Sequence, residues 1–227
     1  HYAVQKPDEV TDLVDFKQPE LSDTELKAPI YIDFGPTSLS ATPWNNITSH
    51  QESSTSSWIK DAENNYTNIG VRVLGGFTAT HAGVGSEPAS PVTVDGVEFP
   101  LTAWKDGLLV RGEKNQGDVG PGRIEISQLD AARKYNFTIL AIRFNGSKDA
   151  RISSYKLIGK TESAVKEVKT GIKDVASFNA ANFEEYIAKF ENVEPDSEGK
   201  VIVEVKGLDT GSAAEGHINA LCINLVK

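Results

Sequence analysis

The sequence predicts an all-β fold, an antiparallel β-sandwich or jelly roll. Three observations predict it. Short β-branched and aromatic runs recur along the chain, Gly and Pro punctuate the intervals between them, and no apolar pattern of helical spacing persists for three turns. At 227 residues the chain is long enough to bury a sizeable core. No internal repeat of fixed period is visible.

Taken in order, residues 1–29 are acidic and broken by Pro7, Pro19 and Pro29. They read as a leader or linker with at most a helical turn near Leu21 to Leu26. A single domain is expected over 30–227. It opens with the strand Ile30-Tyr31-Ile32-Asp33-Phe34, closed by Gly35-Pro36, and alternation puts Asp33 on the face opposite Ile32 and Phe34. Trp44-Asn45-Asn46 and a Ser-rich stretch to Trp58 follow. Val71-Arg72-Val73-Leu74 is a second clear strand, ended by Gly75-Gly76. Residues 78–122 are so rich in Gly and Pro that only short strands fit, and long ordered loops of this kind are often functional. Ile124 and Ile126 alternate with Arg123 and Glu125, and Leu129-Asp130 makes a turn. Beyond residue 160, a strand is expected around Val165 and Val168, with others at Tyr186 to Phe190, Val201 to Val205 and Ile218 to Val226.

The most legible local feature lies between Tyr135 and Lys160. Two apolar segments flank Asn145-Gly146-Ser147-Lys148-Asp149, and the pattern reads as a β-hairpin. Simple register then opposes Phe144 with Ala150, Arg143 with Arg151, Ile139 with Tyr155 and Phe137 with Leu157. Two facing arginines repel unless something negative or oxygen-rich lies between them. A carboxylate of the chain itself or a bound ligand would serve.

The formal charge of -9 and a pI near 5.0 argue against nucleic acid, and no basic stripe is present. No apolar run of about 18 residues suggests a membrane span. The chain begins with His1 and contains no Met, so it reads as a processed product from which a signal segment was removed. The one cysteine, Cys222, reads as a small buried hydrophobe and excludes an intrachain disulfide. Four Asn-x-Ser/Thr triplets begin at Asn46, Asn65, Asn136 and Asn145. They read as chance, since Asn136 falls inside an expected strand.

No nucleophile elbow is present, and His1, His50, His81 and His217 lack metal spacing. Gly117 to Gly122 is a turn cluster, with no strand-to-helix setting for a phosphate cradle. Asp33, Asp106, Glu113 and Asp118 are of the type that glycoside hydrolysis needs, among 32 acidic residues overall. No cofactor is indicated. A structural calcium ion held by Asp or Glu oxygens and loop carbonyls stays open, although no Asp-x-Asp-x-Asp-Gly loop exists. The remaining polar and aromatic residues suit sugar recognition, which pairs an aromatic platform for apolar C–H faces with planar hydrogen-bonding groups for hydroxyls. Trp44 with Asn45 and Asn46, the Arg143 and Arg151 pair, and Asn219 supply these types, with Trp58 and Trp104 as further platforms. A core role is the ordinary alternative for each tryptophan.

Five segments together resemble the galactose-binding-like β-sandwich modules of secreted and surface proteins from glycan-degrading bacteria. They are Ile32-Asp33-Phe34-Gly35, Trp44-Asn45-Asn46-Ile47-Thr48, Arg143 to Gly159, Phe190 to Gly199 and Ile218-Asn219-Ala220-Leu221. Malectin-like domains are a more distant likeness. The resemblance spans about residues 30–226 and implies a jelly-roll fold, a secreted or cell-surface location and non-catalytic binding of an oligosaccharide or polysaccharide. It also implies contact with other surface proteins of a glycan-uptake system. Its site would comprise Trp44, Asn45, Asn46, Arg143, Arg151, Tyr155 and Asn219, to which the reading of residue types adds Trp104. The insertion from Thr78 to Gly122 and the acidic leader depart from the pattern. The alternatives are a glycan-active hydrolase or lyase using loop carboxylates, and a structural or adhesive surface domain.

Overall fold

The computed structural model describes residues 26–81, 91–111, 119–144, 151–172, 180–208 and 214–227. In chain order, β1 (Ile30–Phe34), β2 (Asn45–Ile47), β3 (Thr55–Ser56) and β4 (Gly70–Gly75) open the domain. The middle of the chain supplies β5 (Ala79–His81), β6 (Val92–Val94), β7 (Val97–Phe99), one helical turn α1 (Thr102–Lys105), β8 (Gly107–Arg111) and β9 (Val119–Ser127). Next come β10 (Tyr135–Leu140), β11 (Arg143–Phe144), β12 (Ile152–Ile158), β13 (Lys166–Lys169) and β14 (Gly171–Ile172). A 3-10 helix at Ala180–Tyr186 precedes β15 (Ile187–Val193), β16 (Val201–Leu208), β17 (Glu215–Ile218) and β18 (Ala220–Leu225).

Two sheets form the sandwich. One runs β15-β10-β18-β1-β2 and the other β13-β12-β16-β9-β4-β3. Strand alternation explains the layer between them. Ile30, Ile32, Phe34, Phe137, Ile139, Leu221 and Ile223 point inward from the first sheet, and Val71, Val73, Ile124, Ile126, Leu157, Val201 and Val203 answer from the second. The second sheet turns a polar face outward, with Arg123, Lys156 and Lys206 on its strands.

The first sheet is apolar on both sides. Tyr31, Leu140, Ala220 and Cys222 alternate to its outer face and meet a second core built from Val94, Val97, Phe99, Ala103, Trp104, Phe144, Phe183 and Tyr186. Residues 92–104 therefore form part of a covering layer. Within it, β6 and β7 form a hairpin whose two-residue turn, Asp95-Gly96, has φ of 51° and 77°. Both central residues are left-handed, as a type I′ turn requires.

The expected hairpin over Tyr135 to Lys160 does not form. β10 lies between β15 and β18 in the first sheet, whereas β12 lies between β13 and β16 in the second. Ile139 thus pairs with Ala188 and Leu221 rather than Tyr155, and Phe137 with Phe190 and Ile223 rather than Leu157. The reason is burial on both faces. Phe137, Ile139 and Ala141 serve the inner core while Leu140, Ile142 and Phe144 serve the outer one, so the segment occupies the doubly buried sheet and the chain then crosses to the other. Ala150, the expected partner of Phe144, and the linker 145–149 lie outside the described residues.

Trp104 is 1% exposed, with its ring centroid 5.6 Å from that of Phe183 and 6.1 Å from that of Phe144. Trp104→Ala empties the centre of the covering layer and should lower unfolding free energy by roughly 3–5 kcal/mol. Chemical denaturation checks this, with an unchanged midpoint counting against the layer as an integral part of the fold.

Candidate functional site

Most of the residues expected to bind ligand are engaged by the chain itself. Asn219 sits between β17 and β18 with no exposure. Its Oδ1 accepts from Ile142 N at 2.8 Å, and its Nδ2 donates to the carbonyls of Asp106 at 2.8 Å, Ile142 at 3.0 Å and Trp104 at 3.2 Å. Its hydrogen-bonding capacity is filled. Asn46 spans Ser40, accepting from its N–H at 2.9 Å and donating to its carbonyl at 3.0 Å. Tyr155 is fully buried and donates its hydroxyl to the carbonyl of His217, while burial pushes its phenol pKa upward. Trp104 is enclosed in the covering layer, and Trp44 is half-buried, stacked on Tyr31 with centroids 5.2 Å apart and tilted against Phe99 at 5.8 Å.

Asn45 links the core to a loop. Its Nδ2 donates to the carbonyls of Tyr31 at 2.9 Å and Lys60 at 2.8 Å, and its Oδ1 accepts from Lys60 N at 2.8 Å. The segment it holds, residues 58–69, folds back on itself through Thr67 N to Ile59 O at 3.0 Å and an antiparallel bridge between Lys60 and Tyr66. Asp61, 2% exposed, closes the bend by accepting from Glu63 N at 3.0 Å and Asn65 N at 2.8 Å. Ile59 and Ile69 anchor the base in the core. Two large aromatics remain exposed on this rigid loop, Trp58 at 41% and Tyr66 at 45%. Trp58 holds φ of 51°, a conformation costly for a bulky side chain. The Lys60 ammonium lies 4.8 Å from the Tyr66 ring centroid and 2.9 Å from Asn64 Oδ1. Apolar faces and hydrogen-bonding groups thus share one surface element.

Arg143 and Arg151 do come together, and a carboxylate of the chain stands between them. Glu215 Oε2 lies 3.1 Å from Arg143 Nη1 and 2.8 Å from Arg151 Nε, and Oε1 accepts from Arg111 Nε at 3.0 Å. The geometry differs from the expected facing pair. Arg143 and Arg151 both bond Thr170, which receives a backbone bond from Arg143 N at 2.8 Å and donates one to the Arg151 carbonyl at 2.8 Å. Gly207 and Gly216 let β16 and β17 approach backbone to backbone, where any Cβ would collide, and this crossing seats Glu215 beneath the guanidiniums. His217, fully buried 3.6 Å from Glu215 Oε2, is held neutral by burial, with His81 and the three arginines adding to the downward shift. Residue type suggested an intervening acid, but nothing in the local sequence singled out Glu215.

A second acidic site lies at the same end of the first sheet, where Asp33 stands opposite Ala220. Asp106 Oδ2 accepts from Thr37 N at 2.6 Å, Thr37 Oγ1 at 2.7 Å and Ser38 N at 3.1 Å, pinning the loop after β1. Asp33 accepts from Ser40 N at 3.0 Å. Burial pushes the Asp33 pKa up to about 7; the Ser40 hydrogen bonds oppose this and the Asp106 charge adds to it. The other candidate acids, Glu113 and Asp118, lie outside the described residues, and among the described residues no cluster of three or more His, Cys, Asp or Glu side chains could hold a metal. A shallow cleft of about 400 Å³ also marks the outer face of the second sheet, where Glu204 bridges Arg123 at 2.8 Å and Lys156 at 3.3 Å. No helix of the described residues is long and apolar enough to cross a membrane.

No family model and no curated protein matches the chain. Similar solved structures include TmCBM61 in complex with beta-1,4-galactotriose, at 14% identity and a TM-score of 0.33 over 54% of this chain and 72% of that one. A family 35 carbohydrate binding module from an environmental isolate is 12% identical, with a TM-score of 0.33 over 67% of this chain and 87% of that one. The CBM36-1 domain of a multidomain xylanase from the hindgut metagenome of Trinervitermes trinervoides is 13% identical, with a TM-score of 0.32 over 70% and 99%. Likeness at this level carries no argument about the ligand.

The Asp33 carboxyl yields a pH prediction. Its folded pKa lies above its unfolded value, so its contribution to stability is complete below about pH 4 and is lost as pH rises toward 7. Asp33→Asn should flatten that part of the stability profile and gain on the wild type at pH 8 relative to pH 4. Urea midpoints across this range check it; parallel profiles for the two proteins would refute it.

Proposed function

We propose that this chain is a non-catalytic carbohydrate-binding protein of the secreted space or cell surface, and that it holds a glycan against the exposed loop at residues 58–66. The observation that carries this reading is Trp58, a large ring left 41% exposed on a backbone of φ 51°. A soluble domain gains nothing in stability from exposing a tryptophan at a strained position, and such strain gathers at ligand sites. Tyr66 extends the apolar surface, while Lys60 and Asn64 supply donors and an acceptor for sugar hydroxyls. Sugars offer apolar C–H faces and hydroxyls in alternation, and this loop presents the matching pair of chemistries. Contact with other surface proteins of a glycan-uptake system belongs to the same reading.

Calorimetric titration of the full chain against a panel of neutral and acidic polysaccharides tests it. At least one should bind saturably, and Trp58→Gly should weaken that binding by about tenfold or more, equivalent to about 1.4 kcal/mol. Glycine accepts positive φ without penalty, so this variant should keep the wild-type unfolding free energy within about 1 kcal/mol. Absence of saturable binding across the panel, or full binding by Trp58→Gly, would overturn the reading.

A further inference from the structure

The arginine cluster carries more positive charge than its carboxylate can neutralise. Among the described residues, Arg111, Arg143 and Arg151 share the single acid Glu215, leaving an excess of two positive charges at the meeting point of β8, β11, β12 and β17. Arg143 and Arg151 keep only 17% and 11% of their side-chain exposure, so most of their hydration is gone. Arg111, at 50%, forms the open rim. His217, buried and neutral, adds nothing to this charge.

Hydrogen bonding is short as well as charge. A guanidinium carries five N–H donors. Arg143 directs one to Glu215, and Arg151 Nε meets Glu215 Oε2 at 2.8 Å as an ion pair, while its buried Nη1 has no hydrogen-bond acceptor among the described residues. A buried charged donor without an acceptor costs several times what an ordinary hydrogen bond returns. The Arg143 guanidinium feels the same imbalance. Burial lowers its pKa, Glu215 opposes this, and Arg151 and Arg111 lower it further.

We propose that this cluster is a binding site for a small oxyanion, a carboxylate or sulfate group, which accepts from Arg143 and Arg151 beside Glu215 and enters past Arg111. Planar guanidinium forks match both groups in shape. A free sulfate dianion then neutralises the excess charge and a carboxylate halves it, and the buried Nη1 of Arg151 gains an acceptor. The site is separate from the aromatic loop and does not rest on the reading given to it. Its ligand is either a free inorganic anion or the acidic group of a charged sugar.

Titration of the full chain with sodium sulfate, sodium galacturonate and galactose, followed by NMR chemical shifts at constant ionic strength, tests this. Saturable shifts with sulfate alone assign the site to a free anion, and saturable shifts with galacturonate assign it to an acidic sugar, galactose remaining without effect at the cluster. Arg151→Gln should weaken the binding roughly tenfold to a hundredfold, the range expected for losing a charged hydrogen bond. Arg111→Gln, on the half-exposed rim, should weaken it several-fold without disturbing the fold, and Trp58→Gly should leave it unchanged. No saturable binding of either anion to the wild type, or undiminished binding to both arginine variants, would overturn the proposal.

Discussion

A sheet that is apolar on both faces needs a cover on each side, and the architecture of this chain follows from that constraint. The second sheet covers one face of β15-β10-β18-β1-β2. The other face displays Leu140, Ala220 and Cys222, and chain outside the two sheets shields it. The β6-β7 hairpin, α1 and the 3-10 helix do so. Their attachment fixes further positions in turn. Asn219 grips the carbonyls of Trp104 and Asp106 at the end of α1, and Asp106 then gathers the loop after β1 through Thr37 and Ser38.

Polar groups are buried where these layers join, and each site satisfies them differently. Asp106 receives three donors on one oxygen, whereas Asp33 receives few and is driven toward its neutral form by burial. Glu215 is surrounded by cations, and the imbalance there falls on the arginines. A buried ion pair is often no better for stability than apolar packing. Among the described residues three cations share that one acid, an arrangement poorly explained by stability alone.

The strands were legible because alternation is local. Ile30 to Phe34, Val71 to Leu74 and Val201 to Val205 form strands where alternation predicts them, the run ending at Val226 contains β18, buried on both faces, and Asp33 faces away from Ile32 and Phe34. Partner choice was not legible, since the pattern at Tyr135 to Lys160 fits a hairpin and a crossover equally well until the second core is known. One hairpin signal was present but hidden among glycines. Val92 to Phe99 alternates around Asp95-Gly96, and it reads as irregular only when the surrounding loop is taken as a whole. Asn45, Asn46 and Asn219 had the chemistry of ligand contacts, and nothing local distinguishes an amide that binds sugar from one that binds backbone. Trp58 stood out by type, while its exposure and left-handed backbone required the fold.

Asn45 has a consequence for timing. With one side chain it ties Tyr31 of the core to Lys60 of the aromatic loop by three hydrogen bonds, and Asp61 braces the bend beyond. The entropy of ordering that loop is met when the protein folds rather than when a partner arrives. A surface prepared in this way associates at a rate set by encounter and orientation, with no slow closing step, and its selectivity is expressed in how long each partner stays.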